Sequence, residues 1–263
     1  MPEGRERTPS EPGSTLSDAT RETTRENRRT WDTWSDSYQR KHGGMLGGSQ
    51  AEAWGLWRRP EHELRVLDPV AGKDVLELGC GAAHWSASLA GRGARVVGLD
   101  ISGAQLRHAC HRERVALVLA DAQALPFADG SFDLVLSDNG AMSWADPYLT
   151  VPEVARVLRP GGQLAFCANS PFFAMCWDSR QRTLTPGLRR GYFDLHTSRV
   201  APTAVDYVLG YGEWLRLFRS CALVVEALIE EPPPPGAATS FGDRPQEWTS
   251  RWPVEAIWSA RRM

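Results

Sequence analysis

The stretch Val75-Leu76-Glu77-Leu78-Gly79-Cys80-Gly81-Ala82-Ala83-His84-Trp85 is the part of this chain from which the rest can be read. It begins as a short apolar run that suits a buried strand. It breaks at two glycines one residue apart, then resumes as an amphipathic helix from Trp85. A strand that ends in Gly-x-Gly and turns straight into a helix gathers backbone N–H groups and a helix N-terminus at one point. Such a point can hold a small polar or anionic group.

Working outward, residues 74–78 read as a first strand and 83–90 as a first helix, closed by Gly91 and Gly93. Residues 95–99 form a second strand with Asp100 at its end, and Ser102 caps a helix running to about residue 112. A third strand at 115–119 runs into Ala120-Asp121, and a fourth at 132–136 follows the turn Asp129-Gly130. Residues 152–158 are helical, Arg159-Pro160-Gly161-Gly162 stops them, and 163–167 is a fifth strand. This alternation arises when parallel strands are joined by crossover helices. The fold expected is therefore α/β, a doubly wound sheet whose ligand site lies at the carboxyl ends of the strands, where the winding reverses. Further on, 211–218 reads as an amphipathic helix, 223–229 as a strand, Pro232-Pro233-Pro234-Pro235 as a stiff connector and 253–260 as a closing strand.

The flanks differ in character. Residues 1–26 are rich in Glu, Arg, Ser, Thr, Pro and Gly and are expected to be a disordered tail. In 27–70, Trp31, Trp34 and Tyr38 fall at i, i+3 and i+7, so one helical face carries all three rings. That face either packs on the domain or closes as a lid. Gly43-Gly44 and Gly47-Gly48 suggest a hinged link, and 61–68 a short helix ended by Pro69. Residues 71–263 then form the main domain, with an aromatic, basic and aperiodic insertion at about 170–203 that reads as a cap.

The whole chain, 263 residues, suffices for one full core. A net charge of −2 with mixed signs leaves no electrostatic footprint for nucleic acid or an anionic membrane. Five cysteines without a C-x-x-C pair read as free thiols in a reducing compartment. With no signal peptide and no long apolar run, a cytoplasmic protein is expected, as monomer or homodimer.

Three features fall on one sheet edge: the Gly-x-Gly loop and the carboxylates Asp100 and Asp121, each closing one of the next two strands. The polar strand terminus Ser137-Asp138-Asn139 joins them. Asp100 lies about twenty residues past the loop, where a carboxylate accepts from both hydroxyls of a ribose. Asp121 lies where an adenine amine would fall. Either aspartate alone could be a cap or a solvent-facing charge; together with the loop they form a nucleoside site.

The motifs Glu77-Leu78-Gly79-Cys80-Gly81, Gly98-Leu99-Asp100-Ile101-Ser102, Ala120-Asp121-Ala122, Leu125-Pro126-Phe127, Ser131-Phe132-Asp133 and Leu158-Arg159-Pro160-Gly161-Gly162 resemble those of class I S-adenosylmethionine-dependent methyltransferases. The subgroup most resembled contains the ubiquinone/menaquinone-biosynthesis C-methyltransferases. The resemblance implies a Rossmann-like, mostly parallel seven-stranded sheet with its last strand antiparallel, here carrying an N-terminal helical lid and the inserted cap. It also implies S-adenosylmethionine as cofactor. Gly79 and Gly81 would let the backbone approach the methionine part, with Cys80 packed in the loop and Glu77 ordering it. Asp100 would hold the ribose, with Ile101 beside the adenine and Gln105 flanking. Asp121 and Ala122, with Gln123 next to them, would meet the adenine edge, and the Ser137 backbone the cofactor's amine.

On this reading Tyr38 closes over the cofactor with Trp31 and Trp34. Trp54, Trp57, Trp144, Phe172, Phe173 and Trp177 shape an aromatic acceptor pocket. His42 and His196 are the candidate proton acceptors, with Asp138 a weaker one. His108 and His111, near Glu113, read as surface residues, and no metal is expected. Ser137-Asp138-Asn139-Gly140 lacks the Asn-Pro-Pro-aromatic signature of nucleic-acid and protein amide methylators, so the acceptor expected is a small molecule with an O, N or C nucleophile. Two rivals stay open. An NAD(P)-dependent oxidoreductase shares the loop and ribose carboxylate but wants Gly or Ala where His84 stands. A protein of this fold that binds the cofactor without methyl transfer is the other.

Overall fold

The computed structural model describes residues 18–48, 51–109, 113–241 and 244–263. The chain opens with α1 (Asp18–Leu46), followed by the short strands β1 (Ala53–Trp54) and β2 (Arg59–Pro60) and the single turn α2 (Glu61–Leu64). The apolar runs then fold as read: β3 (Asp74–Leu78), α3 (His84–Gly91), β4 (Arg95–Asp100), α4 (Gly103–Ala109), β5 (Val115–Leu119) and β6 (Phe132–Asp138). After α5 (Ala141–Trp144) and α6 (Pro147–Val157) comes β7 (Leu158–Asn169). The cap holds α7 (Pro171–Cys176) and the strand pair β8 (Trp177–Asp178) and β9 (Thr183–Leu184). Next come the hairpin of β10 (Thr197–Ala201) and β11 (Ala204–Tyr207), α8 (Tyr211–Ser220), β12 (Leu223–Ile229), α9 (Gln246–Thr249) and β13 (Glu255–Arg262).

Seven strands form one sheet in the order β12-β13-β7-β6-β3-β4-β5. All neighbours are parallel except β13, which runs antiparallel to both β7 and β12. The chain winds from β3 out to β5, then returns to β6 on the other side of β3. The reversal opens a crevice at the carboxyl ends. Each face of the sheet is covered. Val151, Val154, Trp214, Leu217 and Phe218 pack one face with Phe166 and Trp258, while Trp85, Leu89, Val66 and Trp54 pack the other with Val75 and Leu136. Strands buried on both faces need continuous apolar runs, which is why β3 and β6 read so plainly in the sequence.

Several boundaries differ from expectation. Residues 18–26, read as part of a disordered tail, are helical, and α1 runs unbroken through Gly43-Gly44 to Leu46. Residues 1–17 lie outside the described residues, as do Cys110 and His111. The Arg159–Gly162 turn lies within β7, where pairing shifts register between Phe132↔Leu158 and Leu134↔Gln163, and Gly161 takes φ +77°.

Specific bonds hold α1 across the crevice. Asp32 accepts from Ser102 Oγ at 2.7 Å and Ala104 N at 3.2 Å, so it supplements the cap of α4. Asp36 meets His108 at 2.9 Å and Gln39 donates to Gln105 at 2.8 Å. On the other side, Asn27 donates to the carbonyls of Trp144 and Val205 and accepts from Val205 N, and the Thr30 hydroxyl meets the Thr203 carbonyl. A mostly polar helix gains its order from such tertiary contacts rather than from propensity. It spans α4 and the β10–β11 hairpin as a roof.

Candidate active site

The loop after β3 is shaped by its neighbours. Gly79 and Cys80 both donate their N–H to the Leu99 carbonyl, at 2.8 and 3.0 Å. Gly79 sits at φ +73°, and a Cβ there would lie 2.4 Å from Ala141 N, so only glycine lets the loop pass α5 this closely. Gly81 N–H donates to Asp100 Oδ2 and Ser102 N–H to Asp100 Oδ1, both at 2.8 Å. Ser102 Oγ accepts from Gln105 N at 3.1 Å, the predicted cap of α4. Behind the loop, Glu77 accepts from Ser86 N at 2.9 Å and from the Ser86 hydroxyl, tying the end of β3 to α3.

Leu78 pairs with Leu99 and Asp100 with Leu119, so the three strand ends stand side by side. They frame a cavity. Glu77, Gly79, Cys80 and Gly81 line it from the loop; Asp100, Ile101 and Gln105 from β4 and α4; Asp121, Ala122 and Gln123 from the end of β5; and Tyr38 from the roof. Asp121 is held by Gln123, whose backbone N–H lies 2.9 Å and side-chain amide 3.1 Å from its Oδ1, and that amide also reaches Thr24 at 2.8 Å. His84 also lines the cavity, and its ring lies 3.0 Å from where a Cβ on Gly47 would stand, under the far end of α1. Ser137 does not line it. It is fully buried, its hydroxyl donating to the Leu78 carbonyl at 2.8 Å and accepting from Met142 N at 3.3 Å, so its role is to join β6 to β3.

A second, more open cavity adjoins the first. Trp31, Tyr38 and Trp144 line both, with Trp31 edge-on to Tyr38 at 5.2 Å and to Trp144 at 5.1 Å. Of the predicted acceptor residues, Trp144, Phe173 and Trp177 line this second space. The other three do not. Trp54 is core, its indole donating to Glu61 at 2.6 Å; Trp57 packs with Leu56 and Phe173; Phe172 stacks on Trp252 at 5.4 Å. His42 lines the second cavity, stacked on Phe241 at 4.4 Å with Nδ1 at 2.6 Å from Ser240 Oγ. Burial, and secondarily Lys41, lowers its pKa, so it is neutral at pH 7. His196 lies outside both cavities, bonded at 3.1 Å to Asp146, the residue that caps α6.

Sequence reasoning missed the roof residues Thr24, Asn27 and Gln39, and also Arg58. Arg58, at φ +49°, forms a buried ion pair with Asp138 at 3.1 Å. Asp138 also accepts from Gly55 N at 2.8 Å and Trp85 Nε1 at 3.3 Å, while it lines the first cavity. Next to it Glu255 accepts from Leu56 N at 2.6 Å and Asn139 Nδ2 at 3.3 Å. A Cβ on Gly55, at φ +67°, would fall 2.0 Å from Glu255. No local signal marks Arg58, because its partner lies eighty residues away.

Burial raises these carboxyls: Glu77 to about 8, Glu255 to about 7 and Asp100 to about 6, with Asp206, bonded to Asn169, at about 7. A carboxyl whose pKa is raised on folding binds more protons in the folded than in the unfolded chain. Its stability contribution is complete below the ordinary carboxylate range and falls as pH rises through the folded value. His42, shifted down, works in the opposite sense, but only below its ordinary pKa. The melting temperature is therefore expected to fall between about pH 6.5 and 8.5. Glu77→Gln, which keeps an acceptor for Ser86, should flatten that slope; an identical slope in wild type and variant would show Glu77 already ionised.

A family model described as a methyltransferase domain matches residues 76–166. A demethylmenaquinone methyltransferase from Clavibacter sepedonicus is 36% identical over 182 residues, covering 68% of this chain and 67% of that one. The chain spans about half to two thirds of the length of the curated relatives it matches. Among solved structures, an S-adenosylmethionine-dependent methyltransferase from Mesorhizobium loti superposes with a TM-score of 0.63 at 24% identity, covering 76% of this chain and 95% of that one. The Burkholderia thailandensis 1,6-didemethyltoxoflavin-N1-methyltransferase does so with a TM-score of 0.58 at 16% identity, covering 96% and 94%. The chain belongs to the class I S-adenosylmethionine-dependent methyltransferases, and among them it resembles the menaquinone methyltransferases.

Proposed function

We propose that the chain transfers a methyl group from S-adenosylmethionine, held in the first cavity, to a small aromatic acceptor held in the second. The observation that carries this reading is the shared wall of Trp31, Tyr38 and Trp144. The names of the relatives, which include a quinone and a toxoflavin methyltransferase, support a small-molecule acceptor.

The residues fit the cofactor. The first cavity is lined by the glycine loop and by both strand-end aspartates, the polar groups an adenosyl nucleoside needs. A Cβ on Gly81 would point at Gln105 and Gln39, into the space a ligand needs. Asp100 and Asp121, on successive strand ends, suit a ribose and an adenine amine. The bound cofactor supplies an electrophilic methyl on a positive sulfur. The three shared rings favour that charge and keep water from the path between the cavities. Tyr38 stays a neutral phenol, since burial, with Asp138 behind it, raises its pKa. His42, on the wall of the second cavity with its pKa lowered by burial, is the proton acceptor in this reading. Residues 27–70 serve as roof and lid in this arrangement, and residues 71–263 as the catalytic domain.

Calorimetry with S-adenosylhomocysteine and with NADH, followed by turnover assays against phenols, amines and enolisable carbons, tests the reading. Binding of NADH in place of S-adenosylhomocysteine overturns it. Binding without turnover on any acceptor favours a cofactor-binding protein. Tyr38→Ala should weaken S-adenosylmethionine by ~10-fold through loss of ring contact with the positive sulfur. Unchanged affinity would remove the shared wall from the account.

A further inference from the structure

The second cavity carries a charge pattern that methyl transfer does not use. Lys41 of α1, Arg182 of the β8–β9 turn and Arg244 ahead of α9 all line it, brought there from three distant parts of the chain. No aspartate or glutamate lines it among the described residues. The Arg244 guanidinium lies 5.4 Å from the ring centre of Phe173 and 5.6 Å from that of Trp177. Those rings are themselves stacked at 5.2 Å. A guanidinium laid on an aromatic pair is fixed in orientation, and its planar fork suits an oxyanion. His42, held neutral by burial, adds no competing charge. Rings alone would suit a cationic or an apolar guest equally well. Three like charges disfavour a cation, and an oxyanion answers them where an apolar guest does not.

From this placement we propose that the acceptor is a planar aromatic molecule bearing an anionic substituent, a carboxylate or a phosphate, with its ring among Trp144, Phe173 and Trp177 and its anion on Lys41, Arg182 and Arg244. This deepens the methyl-transfer reading and rests on it for the choice of cavity. An anion at the outer end orients the ring so that its nucleophile faces the Trp31–Tyr38–Trp144 wall. Charge recognition at that distance sets orientation without touching the reacting carbon, oxygen or nitrogen.

The test measures binding to the full chain by tryptophan fluorescence, with 3-hydroxy-2-naphthoate, its methyl ester and 2-naphthyl phosphate as probes. Both anions should bind at least ~10-fold more tightly than the ester, as charge-assisted bonds to Arg and Lys require. A Lys41→Gln/Arg182→Gln/Arg244→Gln variant should bring the anion-to-ester ratio close to one. Its affinity for S-adenosylhomocysteine should be unchanged, since these side chains do not line the first cavity, and that result reports an intact fold. Carboxylate and phosphate are told apart by which of the two probes loses more in the variant. Equal or tighter binding of the ester, a ratio that survives in the variant, or no binding of either anion at about millimolar concentration overturns the proposal. Failure of the wild type to bind S-adenosylhomocysteine would instead sink the methyl-transfer reading, while the anion-to-ester ratio measured without it still tests this one.

Discussion

Asp100→Asn is expected to weaken S-adenosylhomocysteine binding by ~100-fold or more in calorimetry while moving the melting temperature by only a few degrees. The carboxylate has two tasks. Its oxygens accept from the Gly81 and Ser102 N–H groups, which shapes the glycine loop, and on the proposed reading they also accept from two ribose hydroxyls. An asparagine keeps one acceptor oxygen and presents an amide N–H donor to the other partner, so both tasks fail together. Two bonds to a charged acceptor, each contributing about 1.5–3 kcal/mol, set the size of the loss. Stability suffers less, because burial has already raised this carboxyl to about 6. Replacing it with a neutral group then relieves part of the cost of keeping a charge there near neutral pH. Asp121→Asn should cost less, ~10-fold, since the adenine edge offers it one bond. A drop of under tenfold for Asp100→Asn would show that the ribose is not read here.

Arg58→Met should cost about 3–5 kcal/mol in denaturant unfolding, because it strands a buried charge. The Arg58 side chain is 6% exposed and that of its partner Asp138 is 9% exposed. With Arg58 gone, Asp138 keeps its bonds from Gly55 and Trp85 but loses its counter-charge, beside Glu255 and Glu77. Burial already pushes its pKa upward, and removal of Arg58 pushes it further. The variant should therefore take up a proton on Asp138 more readily than the wild type and lose stability more steeply as pH rises. Adding Asp138→Asn should recover a large part of the loss, since the amide still accepts from Gly55 and no charge remains. A double variant no more stable than Arg58→Met alone would mean that the arginine acts by packing and not by pairing.

Most of the sheet and the cofactor side of the site were legible before any coordinates. Val75–Leu78, Gly79-x-Gly81, Asp100 and Asp121 are local signals. Parallel pairing then places them side by side, because Leu78 opposes Leu99 and Asp100 opposes Leu119. The acceptor side was half legible. Trp144, Phe173 and Trp177 line the second cavity, whereas Trp54, Trp57 and Phe172 have the same chemistry and went into the core or the cap. Composition shows that a ring will be buried, but not against which neighbour. His42 and His196 were indistinguishable as loose histidines until one lined the cavity and the other met Asp146.

What could be read from residue order, then, is whatever follows from short-range periodicity and strand register: the doubly wound sheet, the loop, and the strand-end carboxylates, each settled by residues a few positions apart. What waited for the folded chain is whatever depends on contact between distant segments. Arg58 finds Asp138 at a separation of eighty residues, Asn27 finds Val205 across 178, and Lys41, Arg182 and Arg244 line one cavity. Such contacts are selected by the packing of the whole domain, and no local pattern encodes them.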